Sequence, residues 1–223
     1  MVERLLAEPP AVHAMDFSAD PPLGVWSTDA DCYRFLARSC APGARTLETG
    51  SGLSTLLFAA LGASHTCVTP LAAEIERLRD HASSQGIDLA RVTFVIGGSE
   101  EALPALEPDP LDIVLIDGNH GHPTPTLDWF HGAGRLVDGG TVVVDDLQLP
   151  APALLARMLD RDPRWTAANR TPKWGAWTRR GEGPLTQDWF DQPWLVHPDL
   201  DGVAGLARRA RSLIGRRLRR SPR

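Results

Sequence analysis

From residue 44 onward, short apolar runs alternate with longer segments whose apolar residues return at helical spacing. Residues 44–48 predict a strand and residues 53–61 a helix closed by Gly62. Residues 65–69 predict a second strand. The helix after it, residues 71–84, repeats Leu71, Ile75, Leu78 and Ala82, with Thr69 as its N-cap, Pro70 as its first residue and Gly86 as its stop. Val92 to Ile96 reads as a third strand, followed by a short acidic helix capped by Ser99. Leu111 to Ile116 is a fourth strand, entering Asp117-Gly118. Thr124-Pro125 opens a helix with Leu127, Phe130 and Val137 facing inward, broken by Gly139-Gly140. Thr141 to Val144 then forms a fifth strand ending in Asp145-Asp146. Strands apolar along most of their length, alternating with helices, predict a parallel sheet covered on both faces.

Upstream, residues 1–25 contain Pro9, Pro10, Pro21 and Pro22 and no sustained periodicity, which predicts a short segment and an irregular arm. Thr28-Asp29-Ala30-Asp31 has the form of a capping box. The helix it opens carries Cys32, Phe35 and Leu36 on its apolar face and ends at Pro42-Gly43.

The first strand and helix are joined by Glu48-Thr49-Gly50-Ser51-Gly52-Leu53-Ser54. Glycines there permit positive φ and close approach of a ligand, and the N–H groups opening the helix favour an anionic group. A dinucleotide turn needs a further glycine, for which this chain has Thr55. Glu48 opposes a pyrophosphate and suits an ammonium, so a nicotinamide-dependent oxidoreductase is disfavoured. The same turn also serves simply to join a strand to a helix. In sheets of this kind, ligands bind beyond the carboxyl ends of the strands, and Glu48, Thr69, Ser99, Asp117 and Asp145 all fall there.

Composition is that of a soluble globular protein, with no apolar run near the roughly 20 residues that span a bilayer. The start lacks the basic region and apolar core of a secretory leader. Cys32, Cys40 and Cys67 have no zinc-ligand spacing, so reduced thiols and a cytoplasmic location are expected. Charge is unevenly spread: from Arg208 onward there are eight arginines and no acid, leaving 15 basic against 28 acidic residues elsewhere. An acidic body disfavours nucleic-acid binding. Val203 to Leu218 reads as a basic amphipathic helix, suited to an anionic membrane surface or an acidic partner, or else a solvated tail. Trp174, Trp177, Trp189, Phe190 and Trp194 are expected mainly in packing, with some lining an acceptor pocket together with Trp26.

Three stretches carry a family resemblance: Glu48 to Ser54, Leu115-Ile116-Asp117-Gly118-Asn119-His120, and Gly139 to Asp146. Together they resemble class I S-adenosylmethionine-dependent methyltransferases of the methyltransferase domain 24 kind, related to macrocin-type and catechol-type O-methyltransferases. The resemblance implies an α/β, Rossmann-like fold: a mostly parallel seven-stranded sheet, helices on both faces and a C-terminal antiparallel hairpin. Residues 165–169 and 173–178, joined around Pro172, would supply the hairpin. The implied organisation is an arm over 1–25, a cofactor-binding domain over 26–180, an aromatic-rich extension over 181–207 and a basic tail over 208–223.

The resemblance also assigns residues. Glu48, Gly50, Ser51, Gly52 and Ser54 surround the methionine end of S-adenosylmethionine, and Ser99 and Glu100 fall in the adenine region. Asp117 and Gly118 close the site. The usual ribose-binding acid after the second strand is absent; Thr69 stands there, and Glu74 is a substitute one turn further on. Asp117, Asp145 and Asp146 match the positions that hold a divalent cation such as Mg2+ in metal-dependent relatives. The other reading of these three is a loop-ordering residue, a backbone contact and a helix cap. Successive strand residues face opposite sides, so Asp145 and Asp146 act together only if the chain turns. His120 takes the place of a proton-removing base, with a free pKa near 6.5 suited to neutral pH; a loop histidine bonded to backbone is the alternative. The implied activity is methyl transfer to a small-molecule hydroxyl, with a non-catalytic ligand-binding protein of the same fold as the alternative.

Overall fold

The strand residues divide strictly between the two faces of the sheet, and that division sets the layers. In the computed structural model, which describes residues 1–16, 18, 20–181 and 185–186, Ile113, Leu115 and Val143 point to one face, and Leu47, Val114, Ile116, Val142 and Val144 to the other. The first face is covered by α1 (Val2–Ala7), α2 (Ala30–Ser39), α3 (Leu53–Ala60) and α4 (Ala72–Gln85). The second is covered by α5 (Ser99–Ala105), α6 (Thr124–Gly132) and α7 (Pro150–Leu159).

A two-stranded ribbon, β1 (His13–Ala14) with β2 (Leu23–Gly24), lies in the N-terminal arm. The main sheet comprises β3 (Arg45–Thr49), β4 (Ser64–Thr69), β5 (Val92–Ile96), β6 (Leu111–Ile116), β7 (Leu136–Val144), β8 (Trp165–Arg170) and β9 (Gly175–Arg179). Its spatial order is β5-β4-β3-β6-β7-β9-β8. The first five strands are parallel, and β8–β9 form the antiparallel hairpin expected from the sequence. The order reverses between β3 and β6. There the register aligns Thr49 with Ile116 and Ile116 with Val144, so Gly50, Asp117 and Asp145 emerge side by side.

Several local expectations need correction. The helix opened by Thr124 ends at Gly132, and Gly139-Gly140 lies inside β7 rather than breaking the helix. Its inward residues include Asp128 and Trp129, while Phe130 is exposed and Val137 belongs to the strand. The capping box at Thr28 does not form: Asp29 is the N-cap and makes no side-chain cap bond. Thr69 does not cap α4, whose N-cap is Leu71, and Ser99 is the first residue of α5 behind Gly98. Gly86 does stop α4, in the left-handed conformation.

Trp174 and Trp177 are fully buried, one on each face of the sheet, so both are packing residues. All three cysteines are buried and free. Among the described residues no helix is long and apolar enough to cross a membrane. Trp189, Phe190, Trp194 and the basic helix expected over 203–218 lie outside the described residues.

Candidate functional site

At the reversal in strand order the carboxyl ends of β3 to β7 enclose a cavity of about 730 Å³. A volume of this size suits a nucleoside-sized ligand. The cavity is lined by Gly50, Ser51, Thr69, Ser99, Glu100, Asp117, Gly118, His120, Asp145 and Asp146, ten positions singled out in the sequence. Gly50 has φ +95°, and a Cβ there would collide with the Asp117 carbonyl. This glycine therefore lets the turn after β3 lie against the end of β6.

Three expected positions do not line the cavity. Glu48 is buried beneath the turn, where it pairs with His65 Nε2 at 3.0 Å and accepts a hydrogen bond from the Thr55 hydroxyl. Its side chain points into the fold because Glu48 occupies a strand position one residue before the strand end. Gly52 has an extended backbone that any residue adopts, and Ser54 is buried in the first turn of α3. Thr55, which stands where a dinucleotide turn has glycine, accepts the Gly52 N–H at 3.0 Å.

The wall along β4 is built around Glu74. Its Oε1 lies 3.0 Å from His13 Nδ1, and its Oε2 accepts the Ser51 hydroxyl at 2.7 Å and the Thr69 hydroxyl at 3.4 Å. Burial acts to raise the pKa of Glu74, but the hydrogen bonds from His13 and Ser51 hold it below its ordinary value. Above it, His13 stacks on Trp26 with ring centroids 5.2 Å apart and planes at 8°. The arm over residues 1–25 is thus part of the site. Asp128, reached from below by the Thr49 hydroxyl at 2.8 Å, is pushed by burial up to about 6.

The opposite rim is charged. Asp146 has φ +52°, and this turn brings Asp145 and Asp146 into one cavity despite their adjacency in sequence. The antiparallel register pairs Val144 with Gly175, which places Lys173 beside the two aspartates. The Leu147 N–H donates to the Lys173 carbonyl at 2.7 Å and fixes that position. Lys173 Nζ lies 2.5 Å from Asp146 Oδ1 and 3.3 Å from Asp145 Oδ2. The Thr28 hydroxyl donates to Asp145 Oδ1 at 2.6 Å. His120 Nε2 is 3.0 Å from Asp146 Oδ2 and 4.0 Å from Asp117 Oδ1. Burial and the neighbouring carboxylates of Asp145 and Asp146 push Asp117 well up, favouring its neutral form. Burial acts to raise Asp146 too, but Lys173, Gln148 and His120 hold it below its ordinary value, as a carboxylate.

The expected cation set of Asp117, Asp145 and Asp146 does not fit a divalent ion as it stands. Both Asp145 oxygens are engaged, and Lys173 fills the gap between the two adjacent carboxylates. Asp117, His120 and Asp146 bring one ligand atom each to within 4.8 Å of one another, but His120 already bonds Asp146 directly. His122 is exposed and does not line the cavity. Sequence reading gave no role in the site to His13, to Lys173 or to the Thr28 hydroxyl, which it took for a helix cap. One signal was available, since Lys173 is the only lysine in a chain otherwise supplied with arginine.

Residues 47–147 match a family profile, Methyltransf_24, described as a methyltransferase domain. Residues 47–147 thus carry a methyltransferase domain, and the sheet around them has the fold of the class I, S-adenosylmethionine-dependent enzymes. No curated protein matches the sequence significantly. Among solved structures, a cofactor-bound protein from MTB is similar with a TM-score of 0.58 and 21% identity, over 70% of this chain and 83% of that one. The O-methyltransferase TomG from Streptomyces achromogenes, involved in tomaymycin synthesis and solved with S-adenosylmethionine, aligns with a TM-score of 0.57 and 18% identity, covering 70% and 82%. An rRNA methylase from Streptococcus thermophilus aligns with a TM-score of 0.54 and 19% identity, covering 68% and 96%. These likenesses establish the methyltransferase fold and leave the acceptor to the chemistry of the site.

Proposed function

We propose that this methyltransferase transfers the methyl group of S-adenosylmethionine to a hydroxyl of a small-molecule acceptor, with His120 as the base. The observation that carries this reading is the His120–Asp146 pair, at 3.0 Å, set in the same cavity as the glycine turn. S-adenosylmethionine supplies a methyl on a positively charged sulfur that leaves as a neutral thioether. The protein therefore needs chiefly to align the reactants and remove a proton.

The cofactor side of the cavity fits such a ligand. Backbone at Gly50 and Ser51 and the opening of α3 suit its methionine end. Glu74, oriented by His13 and Ser51, takes the part of the absent acid after β4 and accepts from the ribose hydroxyls. Ser99 and Glu100 remain the candidates for adenine. On the acceptor side, the Asp146 carboxylate accepts from Nε2 of His120, so Nδ1 keeps the lone pair that takes the acceptor's proton. Asp146 then stabilises the imidazolium. Asp117 lines the same rim, and burial and the neighbouring carboxylates, by raising its pKa, lessen the charge it sets against an incoming oxygen. Carboxylates along the rim also disfavour a polyanionic acceptor, which supports a small molecule over RNA.

The test is S-adenosylhomocysteine formation with a panel of hydroxylated small molecules, matched amines and an rRNA fragment, with the product's methylated atom determined. O-methyl products are expected. Cofactor binding without turnover on any hydroxyl, or transfer to amines or RNA alone, would overturn the proposal.

A further inference from the structure

We propose that the Lys173 ammonium occupies the seat of a divalent cation at the acidic rim and does that ion's work, making methyl transfer by this chain independent of metal. This rests on the methyl-transfer reading above. The geometry has three parts. Lys173 Nζ sits between Asp145 Oδ2 at 3.3 Å and Asp146 Oδ1 at 2.5 Å, the two adjacent carboxylates that a shared ion would bridge. Its backbone is held by Leu147, and Thr171 and the buried Trp174 lock the turn around it, with the Thr171 hydroxyl accepting the Trp174 N–H at 2.9 Å. Finally, Asp145 is 2% exposed and its other oxygen is taken by Thr28, so losing the ammonium would leave a buried carboxylate with one hydroxyl for company.

Lysine suits the position where arginine would not. An ammonium is a compact charge with three N–H donors, whereas a guanidinium is a wide planar fork. Two of the donors go to Asp145 and Asp146. The third is left for the acceptor oxygen, which it holds within the same cavity as His120. The acceptor's O–H bond then breaks with its proton passing to His120 Nδ1. The oxygen's electron pair forms the new bond to the methyl carbon, and the carbon–sulfur pair returns to sulfur. The ammonium keeps all three protons throughout. That the only lysine of the chain stands here is consistent with a demand no arginine meets.

The experiment titrates Mn2+ into the full-length protein, read by water-proton relaxation, with no substrate present. The wild type is compared with Lys173→Ala and with Lys173→Asn, whose shorter side chain adds an oxygen ligand. Each variant's fold is first checked by its melting curve. The expected result is Mn2+ binding at least about tenfold tighter in a folded variant than in the wild type. Wild-type turnover should be unchanged by a chelator. Mn2+ binding as tight in the wild type as in the variants, or wild-type turnover abolished by the chelator and restored by Mg2+, overturns the proposal. If neither variant folds, saturable submillimolar Mn2+ binding by the wild type overturns it and absence of such binding supports it. Because the Mn2+ contrast needs no methyl transfer, it stands or falls separately from the O-methylation reading.

Discussion

The cofactor wall of the cavity comes from strand ends in simple succession, Thr49 to Ser51, Val68 to Leu71 and Gly97 to Glu100, and the backbone there is satisfied locally. Gly50 N–H donates to the Val68 carbonyl at 2.9 Å, and Gly97 N–H to the Thr69 carbonyl at 3.1 Å. The acceptor rim has no such economy. Thr28, Asp117, His120, Asp145, Asp146 and Lys173 come from four separate stretches of chain, and their polar groups are satisfied by one another. A change on the wall removes one contact to a ligand. A change on the rim unbalances a partly buried set of charges, where one missing partner leaves another uncompensated.

The contrast is broken most directly at His120. His120→Ala should lower turnover by about 10²- to 10⁴-fold, the usual contribution of a positioned base. S-adenosylmethionine affinity, measured by calorimetry, should change by less than about threefold, because the base touches the acceptor and not the wall. Turnover equal to the wild type would remove His120 from the chemistry and leave the rim a structural feature.

Beneath the wall, Asp128 separates stability from function. Burial pushes its pKa up to about 6, above the ordinary carboxylate value of 3.8. The protonated form is therefore favoured by folding. The stability it contributes is complete below about pH 3.8 and is lost as pH rises through 6. Asp128→Asn keeps an acceptor for the Thr49 hydroxyl and carries no charge to lose. At pH 7.5 it should be more stable than the wild type by up to about 3 kcal/mol, and at pH 4 the difference should shrink towards zero. Urea denaturation at the two pH values measures this. A variant less stable than the wild type at pH 7.5 contradicts the buried-acid account.

Glu74 sharpens the comparison from the wall side. Glu74→Gln should weaken S-adenosylmethionine binding by about 10- to 100-fold, the range for hydrogen bonds to a charged group. Turnover at saturating cofactor should stay within about threefold of the wild type, in contrast to His120→Ala. A fall in turnover as large as that of His120→Ala, with affinity intact, would move Glu74 into the acceptor's side of the chemistry.

What could be read from sequence follows the same division. The sheet, the glycine turn and the strand-end positions are set by periodicity and by short motifs, so five parallel strands and the hairpin were legible within a residue or two, apart from the start of β7, which lies five residues before Thr141. Glu48 was misread because a strand residue's direction depends on where the strand ends, and β3 continues through Thr49. Asp145 and Asp146 were found, but their partners were not. Thr28 looked like a cap by its spacing to Asp31, and only the packed fold brings its hydroxyl to Asp145. Lys173 sits in a turn whose neighbours depend on antiparallel register, which no local pattern specifies. His13 lay in an arm without periodicity, and its pairing with Glu74 is equally non-local.

Trp26 provides the smallest effect and the finest test. Its ring stacks on His13, which in turn bonds Glu74, yet Trp26 itself is 61% exposed. An aromatic pair contributes about 0.5–1.5 kcal/mol when well packed, and exposure places this one at the low end. Trp26→Ala should therefore weaken S-adenosylmethionine binding only about two- to fivefold, through a less constrained His13, and Trp26→Phe should restore most of the loss. Because the arm acts on the wall, turnover at saturating cofactor should scarcely move. If instead the acceptor's KM rises while cofactor affinity holds, the indole faces the acceptor, and the arm belongs to the charged half of the site rather than to the wall.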